Sequence, residues 1–317
     1  MIVRLVQRIG ILLASLVVSS VLVFAFMAVL PGDPARVALG VSASDSAVAQ
    51  LREQFGLDRP LVVQYFSWVK GLVTFDPGNS YISQTAIGPQ IADRLQVTMW
   101  LVGAGMALAC ILAIPMGTLM AVRHRKPSGL ILSALSQVGV AVPAFLAGIL
   151  LVTVFAVGLG WLPANGWTPP AQDPVMFLKQ LVLPALSLGL VQGAMLTRYV
   201  RSAVLDVLRE DYLRTARAKG LRPTRALLRH GLRNAAVPVV TVLALHLATL
   251  LVGAVVIERV FVIPGLGSLL LDSVSNRDLI MVQDVVMIIA MAVLLVNFLV
   301  DIMYLVIDPR LRGAGAS

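Results

Sequence analysis

The 317-residue chain is 58% hydrophobic and 13% charged, with a mean hydropathy of +0.90. These values exclude an ordinary soluble globular protein, because about a quarter of the residues in such proteins are charged. The formal net charge of +9 is typical of nucleic-acid-binding proteins, so the positions of the basic residues along the chain decide what that charge means.

Apolar runs long enough to cross a bilayer occur six times, given that a core of about 30 Å needs roughly 20 helical residues. They predict an all-α membrane protein with six transmembrane helices. The spans are expected at residues 9–30, 97–122, 130 to about 159, 181 to about 197, 236–257 and 285–307.

Three segments follow from this pattern. Residues 1–30 form the N-terminus and the first span, residues 31–94 an extracytoplasmic helical segment, and residues 95–317 a core with the other five spans and a loop at 198–235. Within the extracytoplasmic segment, Ser44 and Asp45 predict the start of one helix, which Gly56 ends. Pro60 suits the first turn of a second helix.

The basic residues follow the predicted topology. Ten of the 25 lie between Arg198 and Arg233, and smaller groups precede the first span, follow the second span and end the chain. All of these lie on one side of a six-helix weave, which the positive-inside rule makes cytoplasmic, together with both termini. This distribution excludes nucleic-acid binding, since the charge does not form one soluble patch.

The loop between the fourth and fifth spans predicts a helix, a sharp turn and a second helix. Asp211 is expected to cap a helix over residues 212–219, Gly220 to end it and Pro223 to begin the next. One face of the first helix carries Tyr212, Thr215, Ala216 and Lys219. Two interpretations stay open from the residues alone: insertion into a groove of a partner protein, or binding to anionic lipid.

Polar residues within the spans are costly and ask for a reason. A pore wall or gate is one interpretation, and an interhelical or inter-subunit hydrogen bond is the commoner alternative. The candidates are Gln137, Gln192, His246, Asn297 and Asp301.

The sequence lacks the motifs of the enzymes that such a chain could be. No lysine follows a glycine, so no Walker A loop exists, and neither His-Glu-x-x-His nor Gly-x-Ser-x-Gly occurs. Cys110 is the single cysteine, and three scattered histidines are too few for a zinc site. We therefore predict no catalytic residue, no metal site and no cofactor in this chain.

Several motifs, in order, carry a family resemblance. DYLRTARAKGL and RHGLRNAAVPVV resemble the conserved cytoplasmic EAA loop of binding-protein-dependent ABC permeases, in its peptide-permease variant. Gly220 and Ala216 match the motif, whereas Arg214 and Thr215 depart from its Glu-Ala pair. LPGDPA, FGLDRPLVVQYFSWVKGL, ERVFVIPGLGSLLLDSV and IDPRLR are similar to the first permease subunit of dipeptide, oligopeptide and nickel importers.

The resemblance implies a type I ABC importer permease fold in a bacterial inner membrane. It further implies a heterodimer with a second permease subunit, two ATPase subunits that bind ATP and Mg, and an extracytoplasmic solute-binding protein. The solute itself, a dipeptide, a longer peptide, a nickel chelate or another small solute, is not specified. The residues expected to couple the chain to an ATPase are Asp211, Tyr212, Arg214, Thr215, Ala216, Arg217, Lys219 and Gly220.

The alternative is a stand-alone secondary transporter or channel. An inverted repeat and paired charges at the centre of the spans are typical of that class, and neither is evident in the sequence. We therefore expect the importer subunit.

Overall fold

A computed structural model describes residues 2–30, 32–40 and 43–307, and these residues are mainly helical. The helices in chain order are α1 (Ile2–Val29), α2 (Pro34–Leu39), α3 (Asp45–Gln54), α4 (Leu61–Val73), α5 (Ile87–Val122), α6 (Pro127–Ala141), α7 (Ala144–Leu151), α8 (Pro174–Leu208), α9 (Asp211–Ala218), α10 (Pro223–Ala226), α11 (Leu232–Val260), α12 (Leu266–Ser275) and α13 (Leu279–Ile307). Wider π-helical turns at Val152–Gly158 and Leu227–Gly231 follow α7 and α10. The IDPRLR motif after Ile307 and the C-terminal basic residues lie outside the described residues.

Membrane-spanning helices account for most of this length. Five helices, α1, α5, α8, α11 and α13, are long and apolar enough to cross a bilayer. A sixth span is obtained when α6 and α7 with its π-helical turn are counted together as one broken span. Five of the six predicted spans are found at their expected places in the chain, and the third corresponds to the bent pair α6 and α7.

The third span differs from its prediction because it is broken. Its two halves meet at an angle of 99°. Val142 has an extended ψ of 122°, and Pro143 is the N-cap residue of α7. The ring of a proline disfavours the helical conformation of the residue before it, so the helix stops there. Hydropathy does not reveal this break, since valine and proline interrupt no apolar run.

The chain divides into two compact units. The first unit comprises Met1–Thr98 and Pro264–Phe298, and the second comprises Met99–Ile263 and Leu299–Ser317. In the first unit, Ile87 and Ile91 of α5 are buried with Leu266 of α12 and with Met281 and Val285 of α13. The N-terminal segment and the last helices of the chain therefore share a core.

The capping signals between the first two spans act almost as predicted. Ser44 Oγ accepts a hydrogen bond of 3.3 Å from the Ala47 amide at the start of α3, and Gly56 follows the helix with a φ of 71°. Helix α4 begins one residue after Pro60 and not at Pro60 as predicted. With a ψ of 140° Pro60 is the N-cap of α4 and not part of its first turn.

The second unit contains the helices that carry the basic loop. Its core joins α5, α8 and α11 to the loop through residues such as Leu196, Val204 and Leu227. Glycine permits close approach of α5 and α8: a Cβ atom at Gly189 would lie 2.8 Å from the Cβ atom of Leu108. This close packing near the middle of α8 thus positions the helix that leads into the loop.

Candidate functional site

The basic loop of the second unit folds into the predicted helix, turn and helix. Helix α8 ends at Leu208, and only Arg209 and Glu210 separate it from α9. Glu210, with an extended ψ of 141°, is therefore the N-cap residue, and Asp211 is the first residue of α9. The prediction that Asp211 caps this helix was wrong by one position. Its carboxylate instead lies 3.4 Å from the Arg214 guanidinium in an exposed pair.

Leu213 attaches α9 to the rest of the unit. Its side chain is only 2% exposed and belongs to the same buried cluster as Val207 and Leu227, while Ala216 packs against that cluster from the next turn. Burying a leucine contributes about 2 kcal/mol, more than any exposed ion pair on this helix. The sequence reasoning missed Leu213, although it is the one large aliphatic residue of α9.

The four residues predicted to share one face of α9 do not all have the same exposure. Ala216 faces inward, whereas Tyr212, Thr215 and Lys219 are exposed. We call five exposed side chains of α9 and its C-cap the α9 surface, namely Tyr212, Arg214, Thr215, Arg217 and Lys219, and Asp211 and Ala218 are exposed beside them. Thr215 Oγ1 donates to the Asp211 carbonyl oxygen over 3.0 Å, so its hydroxyl is already hydrogen-bonded within the helix. The α9 surface is small, basic and held on a rigid base.

Gly220 ends α9 as predicted. Its φ is 90°, its amide donates to the Arg217 carbonyl oxygen, and the Leu221 amide donates to that of Ala216. This pair of bonds is the Schellman motif, which requires a left-handed residue at this position. Leu221 then packs against the core cluster, and α10 begins at Pro223 as expected.

Two of the five polar span residues lie in one cluster within the second unit. Gln192 Nε2 on α8 donates to Thr249 Oγ1 on α11 over 3.1 Å, and Thr249 Oγ1 donates to the His246 carbonyl oxygen. The His246 ring contacts Tyr199 edge-on, with 5.8 Å between ring centroids. Thr249 and Tyr199 were missed, because a hydroxyl in a span gives little signal in the sequence.

The other three polar candidates lie on α6 and α13. Gln137 is exposed on α6, while Asn297 and Asp301 are half-buried on α13. Gln192 Oε1 is buried without a hydrogen-bond partner among the described residues. The structure thus joins Gln192 to Thr249, places the His246 ring against Tyr199 between the same two helices, and places Gln137 on α6.

Buried acids in the first unit tie its segments together. Trp68 Nε1 on α4 donates to Asp284 Oδ1 on α13 over 2.7 Å, and Ser80 Oγ bonds to Asp278 Oδ2. Burial, with the nearby Asp284 and Asp278 carboxylates, raises the pKa of Tyr81 to about 12. Tyr81 therefore stays protonated at physiological pH. These residues hold the segment between the first two spans to the beginning of α13.

Comparison with known families defines the class of protein that this fold represents. Residues 113–313 match the family described as binding-protein-dependent transport system inner membrane component, and residues 1–102 match that family's N-terminal region. The chain belongs to this family. It is a permease subunit of an ABC importer, a non-catalytic multi-pass component of the inner membrane.

Two relatives within this family are similar to the chain over nearly its whole length. The chain is 41% identical over 305 residues to the glutathione transport system permease protein GsiC of Salmonella typhimurium, covering 95% of this chain and 96% of that protein. It is 40% identical over 311 residues to GsiC of Escherichia coli K12, covering 97% and 98%.

Solved structures agree on the fold. A chain of the inward-facing MetNI methionine ABC transporter superposes with a TM-score of 0.55 at 16% identity, covering 69% of this chain and 96% of that one. An amino acid ABC transporter gives a TM-score of 0.50 at 15% identity, covering 68% and 92%. The type I permease fold is confirmed.

Proposed function

We propose that this chain forms half of the translocation pathway of an ATP-driven importer of short peptides, and that its α9 surface binds a cytoplasmic ATPase. The assembly would comprise this chain, a second permease subunit, two ATPase subunits that bind ATP and Mg, and an extracytoplasmic solute-binding protein. Both termini would be cytoplasmic. The observation that carries the proposal is the short, exposed, basic helix α9, whose buried Leu213 fixes it to the core of the second unit.

The geometry of α9 suits force transmission. Its base is rigid because Leu213 and Ala216 pack on the cluster that also contains residues of α8 and α11. A displacement of α9 by a bound ATPase would therefore be carried to two spans and not absorbed in a flexible linker. Helix α8 leads into the loop and α11 leads out of it, so the movement would reach the Gln192 and Thr249 cluster, which lies between these same helices.

Lipid binding is the competing role for the α9 surface. Basic residues near an anionic membrane each contribute about 1 kcal/mol of attraction, whichever loop they occupy. A protein partner, in contrast, depends on particular side chains at particular positions. Charge reversal at matched positions separates the two roles.

We expect Arg214→Glu to reduce the stimulated ATPase activity of the reconstituted complex by about tenfold, the effect of losing one charge-assisted contact at an interface. Arg214 is 73% exposed, so the substitution leaves the fold of the loop intact. The measurement is ATP hydrolysis in proteoliposomes, with and without the solute-loaded binding protein.

Arg125→Glu is the matched control. Arg125 is exposed in the loop between α5 and α6, which is predicted to lie on the same side of the membrane. The change in net charge is identical, so lipid attraction falls equally in both variants. Equal activities of the two variants would contradict ATPase binding by α9 and favour the lipid role.

The names of the relatives suggest the class of solute. The GsiC proteins are described as permeases of glutathione transport, and they match over nearly their whole length. We infer that the solute is a peptide of two to a few residues with free charged termini. Glutathione is therefore the first solute to load onto the binding protein in the ATPase assay.

A further inference from the structure

A pocket of about 620 Å³ lies within the first unit. Its walls come from the end of α1, from α3 and α4 with their connections, and from the first turn of α13. This volume falls within the range of sites that enclose small organic molecules, about 300–1,000 Å³. The pocket is large enough for a short peptide.

One buried amide in the pocket lacks a partner. Gln283 lines the pocket from α13 and is only 7% exposed, yet its Nε2 atom has no hydrogen-bond partner among the described residues. A buried N–H group without an acceptor is rare, because it loses its bonds to water and gains nothing in return. An acceptor brought by a bound molecule would satisfy this group.

Two charged side chains in the same pocket are also without ion pairs. Arg59 and Asp76 both line it, both are exposed, and neither has an ion pair in the described part of the chain. Arg52, in contrast, is engaged by Asp33 and by Asp58, at 2.9 Å and 3.0 Å. The pocket thus offers one cation and one anion to a ligand.

Asp33 also lines the pocket, but its carboxylate is already paired with Arg52. Burial works to raise its pKa, but the hydrogen bonds from Arg52 and from the Ala35 amide outweigh burial and lower it. Asp33 is therefore ionised and committed to Arg52. The nearby Phe55 ring stacks on Tyr81 with 4.2 Å between centroids and adds an apolar surface to the pocket.

We propose that this pocket is a binding site for a short peptide with free termini. Gln283 Nε2 donates to an oxygen of the peptide, Arg59 attracts its carboxylate, and Asp76 attracts its ammonium group. That the ligand is a peptide rests on the proposed function. That the pocket takes a zwitterion of this size rests on the pocket alone.

The test is equilibrium dialysis of radiolabelled glutathione against the assembled complex in lipid nanodiscs, without the solute-binding protein. We expect saturable binding, and binding about tenfold weaker in Gln283→Leu, the effect of losing one hydrogen bond to the ligand. Because leucine removes an unpartnered polar group, the thermal stability of this variant should be equal or higher. Arg59→Gln changes an exposed side chain and should also weaken binding.

Gln180→Leu is the matched control, because Gln180 belongs to the second unit and its Oε1 is likewise buried without a partner among the described residues. It should leave glutathione binding unchanged. The site is overturned if the unsubstituted complex shows no saturable binding. It is also overturned if Gln283→Leu and Arg59→Gln both bind glutathione as tightly as the unsubstituted complex. ATPase stimulation by the loaded binding protein, measured on the same preparation, reports separately on the importer function.

Discussion

Gly117→Val should prevent the second unit from folding. A Cβ atom at Gly117 on α5 would lie 2.6 Å from the Cβ atom of Val200 and 2.7 Å from the Thr197 carbonyl oxygen, both on α8. The backbone oxygen cannot rotate away, so the two helices must separate along their contact. We expect a loss of about 3 kcal/mol or more from overpacking. Size-exclusion chromatography of the subunit in detergent, with thermal unfolding, measures this loss.

Gly103→Val on the same helix is the matched control. A Cβ atom at Gly103 would meet nothing within 4 Å. The substitution changes helix propensity by the same amount as at Gly117, so that contribution cancels between the two variants. Comparable stability of the two variants would show that α5 and α8 do not pack through Gly117.

Gly220→Val should abolish solute uptake while the subunit still enters the membrane. A Cβ atom at Gly220 has open space around it, but the φ of 90° is strained for a β-branched residue. The cost of about 1–3 kcal/mol acts on the Schellman motif that ends α9, and we expect it to disturb the proposed contact of the α9 surface with an ATPase. ATP-driven uptake into proteoliposomes is the measurement.

Gly220→Asn provides the comparison for this turn. Asparagine adopts left-handed conformations far more readily than valine, so it retains the turn and most of the uptake. Normal uptake by Gly220→Val would mean that the turn after α9 has no part in coupling. Loss of membrane insertion in Gly220→Val would instead assign the turn a role in folding.

The larger features of the fold were predictable because they depend on local signals. Five apolar runs of span length identified continuous spans and a sixth identified the bent pair α6 and α7, while single residues identified helix ends, such as Ser44 before α3 and Gly220 after α9. In each case the physical cause lies within a few residues of the observation. The break at Pro143 belongs to the same class of signal, but the apolar run that surrounds it concealed it.

The site was less predictable because it depends on contacts between distant segments. Leu213 is an anchor only because Val207 and Leu227 meet it from other helices. Trp68 and Asp284 are 216 positions apart, and neither residue alone indicates the other. Gln192 and His246 were proposed separately, and the contacts of Gln192 with Thr249 and of His246 with Tyr199 both require the packing of α8 on α11.

The contact of the α9 surface with an ATPase is tested most directly by photo-crosslinking. A benzophenone amino acid replaces Thr215, which is exposed at the centre of that surface, or Trp161, which is 67% exposed in a loop predicted on the other side of the membrane. We predict that irradiation of the assembled complex joins the Thr215 variant to an ATPase subunit and the Trp161 variant to none. Crosslinks from position 215 to lipid alone would contradict the account.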